Sequence, residues 1–125
     1  MITDTHTHLY LKEFADDIDV VINRALNLKI NNFFLPAIDS SHTKSMLELK
    51  KAYPKIMHLM AGLHPCSVND NYLDELSHVE KVLENHPIVA IGEIGIDLYW
   101  DKSTLSIQKK AFASQIKLAK DLNLP

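Results

Sequence analysis

The sequence predicts an α/β fold in which four parallel strands alternate with four helices. Four short runs rich in apolar and β-branched residues begin near residues 2, 33, 56 and 88. Each run is followed by a segment whose apolar residues recur at helical spacing. The fourth run, residues 88–92, is continuously apolar, as expected for a parallel strand that is covered on both faces. A helix between successive strands returns the chain to the same edge, which favours parallel pairing.

The first run, residues 2–8, is predicted to be a short strand because positions 2, 3, 5 and 7 carry β-branched residues. Alternate side chains of a strand point to the same face, so Asp4, His6 and His8 are expected to line up. Two imidazoles at this spacing can reach one metal ion, and Asp4 can ligate the ion or accept a ring N–H. The alternative is a surface strand that carries two histidines by chance.

The first helix is predicted to begin after a loop, with Asp16 or Asp17 at its N-terminus. Its apolar stripe has the i, i+3, i+4, i+7, i+8 pattern. The stripe consists of Ile18, Val21, Ile22, Ala25 and Leu26. Asn31 and Asn32 are expected to separate this helix from the second strand.

The second unit consists of an apolar run over residues 33–38 and a helix over residues 43–52. Pro36 weakens the strand prediction because proline cannot donate a ladder hydrogen bond. Asp39 and the serines after it are candidate N-caps for the helix. Tyr53, which precedes a proline, is expected to end it.

The third unit begins with a strand over residues 56–63, which runs directly into His64. Asn69 or Asn71 is expected to cap the following helix. The apolar stripe of this helix consists of Leu73, Leu76, Val79 and Leu83.

The fourth unit places Glu93 at the carboxyl end of the strand over residues 88–92. Ser103 or Thr104 is expected to cap the last helix. Its predicted inward face consists of Ala111, Phe112, Ile116, Ala119 and Leu122.

The position of the polar residues and the length of the chain together favour half of a barrel. His6, His8, His64 and Glu93 all lie at or just after the carboxyl ends of predicted strands, where the active sites of βα barrels are built. Eight such units need roughly 250 residues. Residues 1–125 are therefore predicted to form a single, apparently truncated domain, the N-terminal four βα units of a TIM (βα)8 barrel. A freestanding four-stranded α/β domain is the alternative.

The composition limits the class of protein. The net charge of −3 argues against a broad basic surface for nucleic acid, although bound metal ions can supply positive charge locally. No apolar run approaches the roughly 20 residues of a membrane span. One cysteine, Cys66, excludes an intrachain disulfide. The sequence is accordingly predicted to be cytoplasmic, without a membrane or an obligate protein partner.

Three motifs in order, residues 4–9, 62–65 and 92–97, resemble those of the TatD family of metal-dependent deoxyribonucleases, which are amidohydrolase-like hydrolases on a TIM barrel. The run over residues 108–122 is similar to the family's fourth helix. The resemblance covers the whole chain but only the first half of the family's length. Lys29, where the family often carries glycine, and the Leu35-Pro36-Ala37 segment depart from the family pattern.

The resemblance implies a site with two divalent metal ions, Mg²⁺, Mn²⁺ or Zn²⁺, acting on a DNA substrate. His6 and His8 would bind one ion, and Glu93 would bridge it to the second. His64 matches a position near the substrate phosphate, so Glu93 and His64 are the candidate catalytic residues. The remaining family ligands lie on later strands, and the site of residues 1–125 alone is expected to be incomplete.

Two other functions remain open at this point. Related barrels hydrolyse C–N or phosphate-ester bonds, often with a lysine where this sequence has Glu93. The chain can also be an inactive fragment or a binding module.

Several further polar and aromatic residues have more than one possible role. Cys66 is expected to be a small buried side chain, with a role as a ligand as the alternative. Asp97 either orients a ligand or the loop after Glu93, or is a structural turn residue, and Tyr99 and Trp100 are either a wall for a nucleobase or packing aromatics. Surface or capping positions are expected for His42, His58, His78 and His86.

Overall fold

The computed structural model describes residues 2–125 and contains one parallel sheet of four strands in the order β1-β2-β3-β4. The strands are β1 (Ile2–Asp4), β2 (Ile30–Leu35), β3 (Met57–Ala61) and β4 (Ala90–Ile91). The helices are α1 (Ile18–Asn27), α2 (Thr43–Ala52), α3 (Tyr72–Asn85) and α4 (Leu105–Asp121), with 3₁₀ turns at Lys12–Phe14, Ser40–His42 and Pro65–Ser67. The α/β prediction of four βα units forming a half barrel is confirmed. In the described residues, none of the helices is both long and apolar enough to cross a membrane.

The first strand is shorter than predicted, and this changes how the two histidines are placed. β1 ends at Asp4, whose Oδ1 accepts a hydrogen bond from the backbone N–H of His6 at 3.2 Å. The backbone N–H of Thr7 donates to the Phe34 carbonyl at 3.1 Å, so the loop still lies against β2. His6 and His8 are therefore positioned by a loop, and strand alternation does not explain their common direction.

The turn between α1 and β2 lies earlier than predicted. Lys29 has a φ of 67°, in the left-handed region, and it ends the helix where glycine is the usual residue. Asn31 and Asn32 then belong to β2 and do not separate helix from strand. Asn32 tolerates this position because its Oδ1 bonds Nε2 of His58 at 3.0 Å on the neighbouring strand. The strand ends at Leu35, immediately before Pro36, which lacks an N–H donor.

The core lies between the sheet and helices α1 and α2. Ile22, Leu35 and Met57 are fully buried at its centre, and Met46 and Leu49 of α2 pack into the same cluster. Helix α2 spans the residues predicted from the sequence. Burial of one apolar side chain of this size contributes roughly 1.5–3 kcal/mol, so this cluster is the main stabilising element of the N-terminal units.

Helix α4 is held by two buried glutamines in addition to its apolar face. Ala111 is buried as predicted, but Ile116 and Leu122 are 41% and 47% exposed, so their predicted inward position is wrong. Oε1 of Gln115 accepts from the Leu63 N–H at 2.7 Å, and its Nε2 donates to the Leu63 carbonyl at 3.3 Å. A buried amide that satisfies both backbone groups stabilises the helix against the end of β3.

The carboxyl ends of β2 and β4 converge above the end of β3. The Ala37 N–H donates to the Gly92 carbonyl at 2.9 Å, and the Glu93 N–H donates back to the Ala37 carbonyl at 3.1 Å. The Gly92–Glu93 peptide bond is cis. A Cβ on Gly62 would lie 2.7 Å from the Gly92 carbonyl carbon, so only glycine permits this approach. The convergence brings Glu93 toward the loop that carries His6 and His8.

Candidate metal centre

His6, His8 and Glu93 meet at the carboxyl edge of the sheet. Each offers one ligand atom, and these atoms lie within 4.8 Å of one another. Nε2 of His6 is 3.0 Å and Nε2 of His8 is 3.6 Å from the same Glu93 oxygen, Oε2. The His6 side chain is 54% exposed, and those of His8 and Glu93 are 25% and 29% exposed, so the cluster is accessible to an ion from solvent. The structure thus brings together the three residues predicted as ligands.

Two hydrogen bonds behind His8 define its tautomer. Nδ1 of His8 lies 2.8 Å from the Tyr10 hydroxyl, which donates its proton to the Pro36 carbonyl at 2.5 Å. A phenol has one proton, so the Tyr10 oxygen can only accept from His8. Nδ1 of His8 therefore carries the ring proton, and Nε2 presents a lone pair toward Glu93.

His64 reaches the same carboxylate from the end of β3, with the opposite tautomer. Its Nε2 lies 3.2 Å from Oε1 of Glu93, and its Nδ1 accepts the backbone N–H of Cys66 at 3.0 Å. A ring nitrogen that accepts a hydrogen bond carries no proton, so the proton of neutral His64 is on Nε2. The His64 backbone N–H bonds the Ile38 carbonyl at 2.8 Å, which ties this turn to the end of β2. His64 faces the cluster as a donor, and it is not part of the three-residue ligand set.

The charge states of His8 and Tyr10 suit this arrangement. Burial, followed by the charge of His6, lowers the pKa of His8, and the opposing charge of Glu93 offsets this only in part. Burial, followed by the charges of Asp39 and Glu93, raises the pKa of Tyr10 well above its usual range. At neutral pH the imidazole of His8 is therefore uncharged and the phenol of Tyr10 keeps its proton.

The loop after Glu93 is shaped by Asp97. Oδ1 of Asp97 accepts from the Tyr99 N–H at 2.8 Å, and Gln108 bonds both the N–H and the carbonyl of Asp97, at 2.8 and 2.9 Å. These contacts favour the turn role for Asp97. Tyr99 and Trp100 are 81% and 80% exposed and pack edge to face, so neither is a core residue of the described chain.

Cys66 is exposed, so its expected burial as a small core side chain is wrong. Cys66 lies in the 3₁₀ turn that begins at Pro65, and the slight desolvation of its thiol, followed by a hydrogen bond to Asp97, raises the pKa of the thiol.

Three of the four remaining histidines make structural contacts away from the cluster. His42 bonds Asp39 at 2.9 Å, His58 bonds Asn32 and His78 bonds Thr43 at 2.8 Å, while His86 follows the last residue of α3. Within residues 2–125, His6, His8 and Glu93 form the single group suited to a metal ion.

Sequence reasoning missed two residues that support the site. Tyr10 was not singled out, although a polar aromatic residue two positions after His8 is the available signal. Asp39 was assigned only a capping role. In the structure its Oδ2 also accepts from the Ser67 hydroxyl at 3.0 Å and so joins the loops after β2 and β3.

Comparison with known proteins gives the family. The family model for TatD related DNase matches residues 3–125. The chain is 35% identical over 125 residues to the uncharacterized metal-dependent hydrolase YabD of Bacillus subtilis, covering 100% of this chain and 49% of that protein. It is 28% identical over 122 residues to the 3'-5' ssDNA/RNA exonuclease TatD of Edwardsiella piscicida, covering 98% and 47%.

A solved structure supports the same relationship. The crystal structure of YjjV, a TatD homolog from Escherichia coli, matches 99% of this chain and 48% of its own with a TM-score of 0.86 at 30% identity. The chain spans about half the length of the curated relatives it matches. With a family match over nearly all of its residues, the chain belongs to the TatD-related DNase family of metal-dependent hydrolases.

Proposed function

We propose that this chain supplies the first half of the active site of a metal-dependent deoxyribonuclease that hydrolyses phosphodiester bonds in DNA. The observation that carries the proposal is the meeting of His6, His8 and Glu93 at one point. Two comparisons support it. The TatD related DNase family model matches nearly the whole chain, and one similar protein is named a 3'-5' ssDNA/RNA exonuclease. Glu93 stands where related C–N hydrolases often carry a lysine, which favours the nuclease over that alternative.

The donor set fits a divalent ion. His6 and His8 offer imidazole nitrogens, and Nε2 of His8 has a free lone pair because its proton is on Nδ1. Imidazole and carboxylate together suit Zn²⁺ or Mn²⁺, and the carboxylate also suits Mg²⁺. By resemblance to the family, His6 and His8 would hold one ion and Glu93 would bridge it to a second. Divalent ions bound here would supply an activated water and would stabilise negative charge on phosphate oxygens.

The residues at the carboxyl edge of the sheet would have different roles in the reaction. His6 and His8 would present ring nitrogens to an ion, and Glu93 offers Oε2 toward His6 and His8 and Oε1 toward His64. His64 holds the Nε2 proton toward the same opening, where it can donate to a non-bridging oxygen of the scissile phosphate. These 125 residues carry a net charge of −3, so their own contribution to attracting DNA would come from this local donor and from bound ions more than from a basic surface.

The experiment uses the metal-free full-length protein, reconstituted separately with Mg²⁺, Mn²⁺ or Zn²⁺. The substrates are 5'-labelled single- and double-stranded DNA, single-stranded RNA, a phosphate monoester and an amide. We expect ion-dependent shortening of DNA from an end, with turnover reduced by at least about 10³ in Glu93→Ala and unchanged in Glu48→Ala, an exposed glutamate of α2. Retention of the circular dichroism spectrum shows that the fold is intact.

The outcome that contradicts the proposal is ion-dependent hydrolysis of the amide or monoester without cleavage of DNA. Full nuclease activity in Glu93→Ala would remove Glu93 from the site. Lack of all hydrolysis in a folded, ion-loaded protein would favour the non-catalytic alternative.

A further inference from the structure

We propose that Tyr10 is a positioning residue of the metal centre, which holds the imidazole of His8 in the tautomer and orientation that a cation requires. The inference rests on the proposed function only in taking His8 as a ligand. Tyr10 bonds His8 and the Pro36 carbonyl and is not one of the three candidate ligands, so it would act through His8.

First, the hydrogen bonds that link His8, Tyr10 and Pro36 establish which atom carries each proton. The Pro36 carbonyl can only accept, so the single hydroxyl proton of Tyr10 is used there, at 2.5 Å. The Tyr10 oxygen is then an acceptor for Nδ1–H of His8 at 2.8 Å. With its proton on Nδ1, a neutral His8 must present the lone pair of Nε2, the nitrogen that lies 3.6 Å from Glu93.

The second step is the rigidity of the support. Tyr10 is 6% exposed and belongs to the main core cluster, and Pro36, which supplies the acceptor, is fully buried at the end of β2. The rings of His8 and Tyr10 meet edge to face, with centroids 5.6 Å apart and an interplanar angle of 81°. The orientation of His8 is therefore tied to the core and to the second strand, although His8 itself lies on a loop.

The third step is the contrast with His6 on the same loop. The His6 side chain is 54% exposed, and in the described part of the chain its second ring nitrogen has no hydrogen-bond partner. Ligating histidines usually donate their second N–H to a neighbouring acceptor, and loss of such a partner typically weakens metal binding by about 10- to 100-fold. Tyr10 gives this support to His8, whereas none of the described residues gives it to His6.

The test compares Tyr10→Phe with the wild type in the full-length protein. The matched control is Tyr53→Phe, which removes a tyrosine hydroxyl that bonds Asp19 away from the site. In the metal-free protein, ¹⁵N chemical shifts of the histidine rings report which nitrogen of His8 carries the proton. Calorimetric titration with Mn²⁺ then reports affinity independently of hydrolysis.

We expect the wild type and Tyr53→Phe to show a protonated Nδ1 and an unprotonated Nε2 at His8. In Tyr10→Phe the Nε2–H form should appear, and Mn²⁺ affinity should fall by about tenfold or more. A wild-type His8 with its proton on Nε2 overturns the inference without need of any variant. Equal Mn²⁺ affinity in the wild type and Tyr10→Phe also overturns it and leaves the proposed function untouched. Failure of the wild type to bind any divalent ion instead contradicts the proposed function.

Discussion

His8 and His64 approach different oxygens of the Glu93 carboxylate, and their hydrogen bonds give the two rings opposite tautomers. His8 has a hydroxyl acceptor behind it and presents a lone pair, whereas His64 has a backbone N–H behind it and presents a proton. The Nε2 atoms of His8 and His64 lie at similar distances from the nearest Glu93 oxygen, 3.6 and 3.2 Å. The hydrogen-bond partner of Nδ1 in each ring thus determines whether Nε2 offers a lone pair, which suits a cation, or a proton, which suits an anion.

The two supports also differ in how they are encoded. The partner of His64 is two residues away, in a 3₁₀ turn that begins at Pro65, so the turn itself defines the tautomer. The support of His8 ends on Pro36, which becomes its neighbour only when β1 and β2 pair. The tautomer of His64 thus depends on a contact within one turn, whereas the tautomer of His8 depends on assembly of the sheet.

The largest effect should come from removing the lone-pair histidine. We expect His8→Ala in the full-length protein to weaken Mn²⁺ binding by at least about 100-fold, because loss of a direct ligand should exceed the loss of an outer partner. Calorimetric titration measures the affinity, and circular dichroism checks the fold. His58→Ala, a histidine of β3 outside the cluster, is the control and should bind Mn²⁺ normally. Tight binding by His8→Ala would show that His8 is not a metal ligand.

The matching change at His64 should separate activity from metal affinity. We expect His64→Ala to lower the rate of DNA cleavage by about 10²-fold, the usual size for loss of a well-placed donor, with Mn²⁺ affinity within about twofold of the wild type. Cleavage kinetics and calorimetry on the same preparation provide the two readouts. A large loss of Mn²⁺ affinity would contradict the tautomer inferred for His64.

A smaller effect should follow from disturbing the convergence that brings Glu93 to both histidines. In Gly62→Ala the new Cβ meets the rigid Gly92 backbone at 2.7 Å, so we expect a loss of about 1–3 kcal/mol of unfolding free energy together with weaker Mn²⁺ binding. Urea denaturation and calorimetry measure the two quantities. Gly92→Ala is the comparison, because its Cβ meets the flexible end of Met60 at 3.2 Å and should cost less. Equal stability losses would show that the close approach at Gly62 is not limiting.

The smallest effect should come from Asp39, which joins the loops behind the two histidines. Burial would raise the pKa of Asp39, but hydrogen bonds from Ser41, His42 and Ser67 outweigh it, and the net pKa is lowered. A carboxyl group with a lowered pKa in the folded state stabilises the fold above its unfolded pKa, and this contribution is lost as the pH falls through the folded value.

We therefore expect Asp39→Asn to lose about 1 kcal/mol of unfolding free energy at pH 7, and the difference from the wild type to shrink below about pH 4. Urea denaturation over a pH series measures this. Asp121→Asn, an exposed residue at the end of α4, should change little at either pH. A difference that grows on acidification would reverse the sign and contradict the assignment.

Local patterns in the sequence determined the elements and the candidate ligands. The amphipathic spacing was enough to predict α2 over Thr43–Ala52. The starts of α3 and α4 follow Asn71 and Thr104, one of the two positions predicted for each, although neither side chain makes a capping hydrogen bond. Helix periodicity and end signals depend on residues a few positions apart, so a single sequence contains them. The order of the His6, His8, His64 and Glu93 motifs likewise needed no structure to suggest the family.

The tertiary structure alone decided how those residues are presented. β1 stops at Asp4, so the common direction of His6 and His8 comes from loop contacts with β2. Burial of Gln115 depends on a backbone site 52 residues away, and the support of His8 depends on a carbonyl 26 residues beyond Tyr10. Such hydrogen bonds exist only after the strands pair in register and their ends converge, because the partners are brought together by packing and not by sequence neighbourhood.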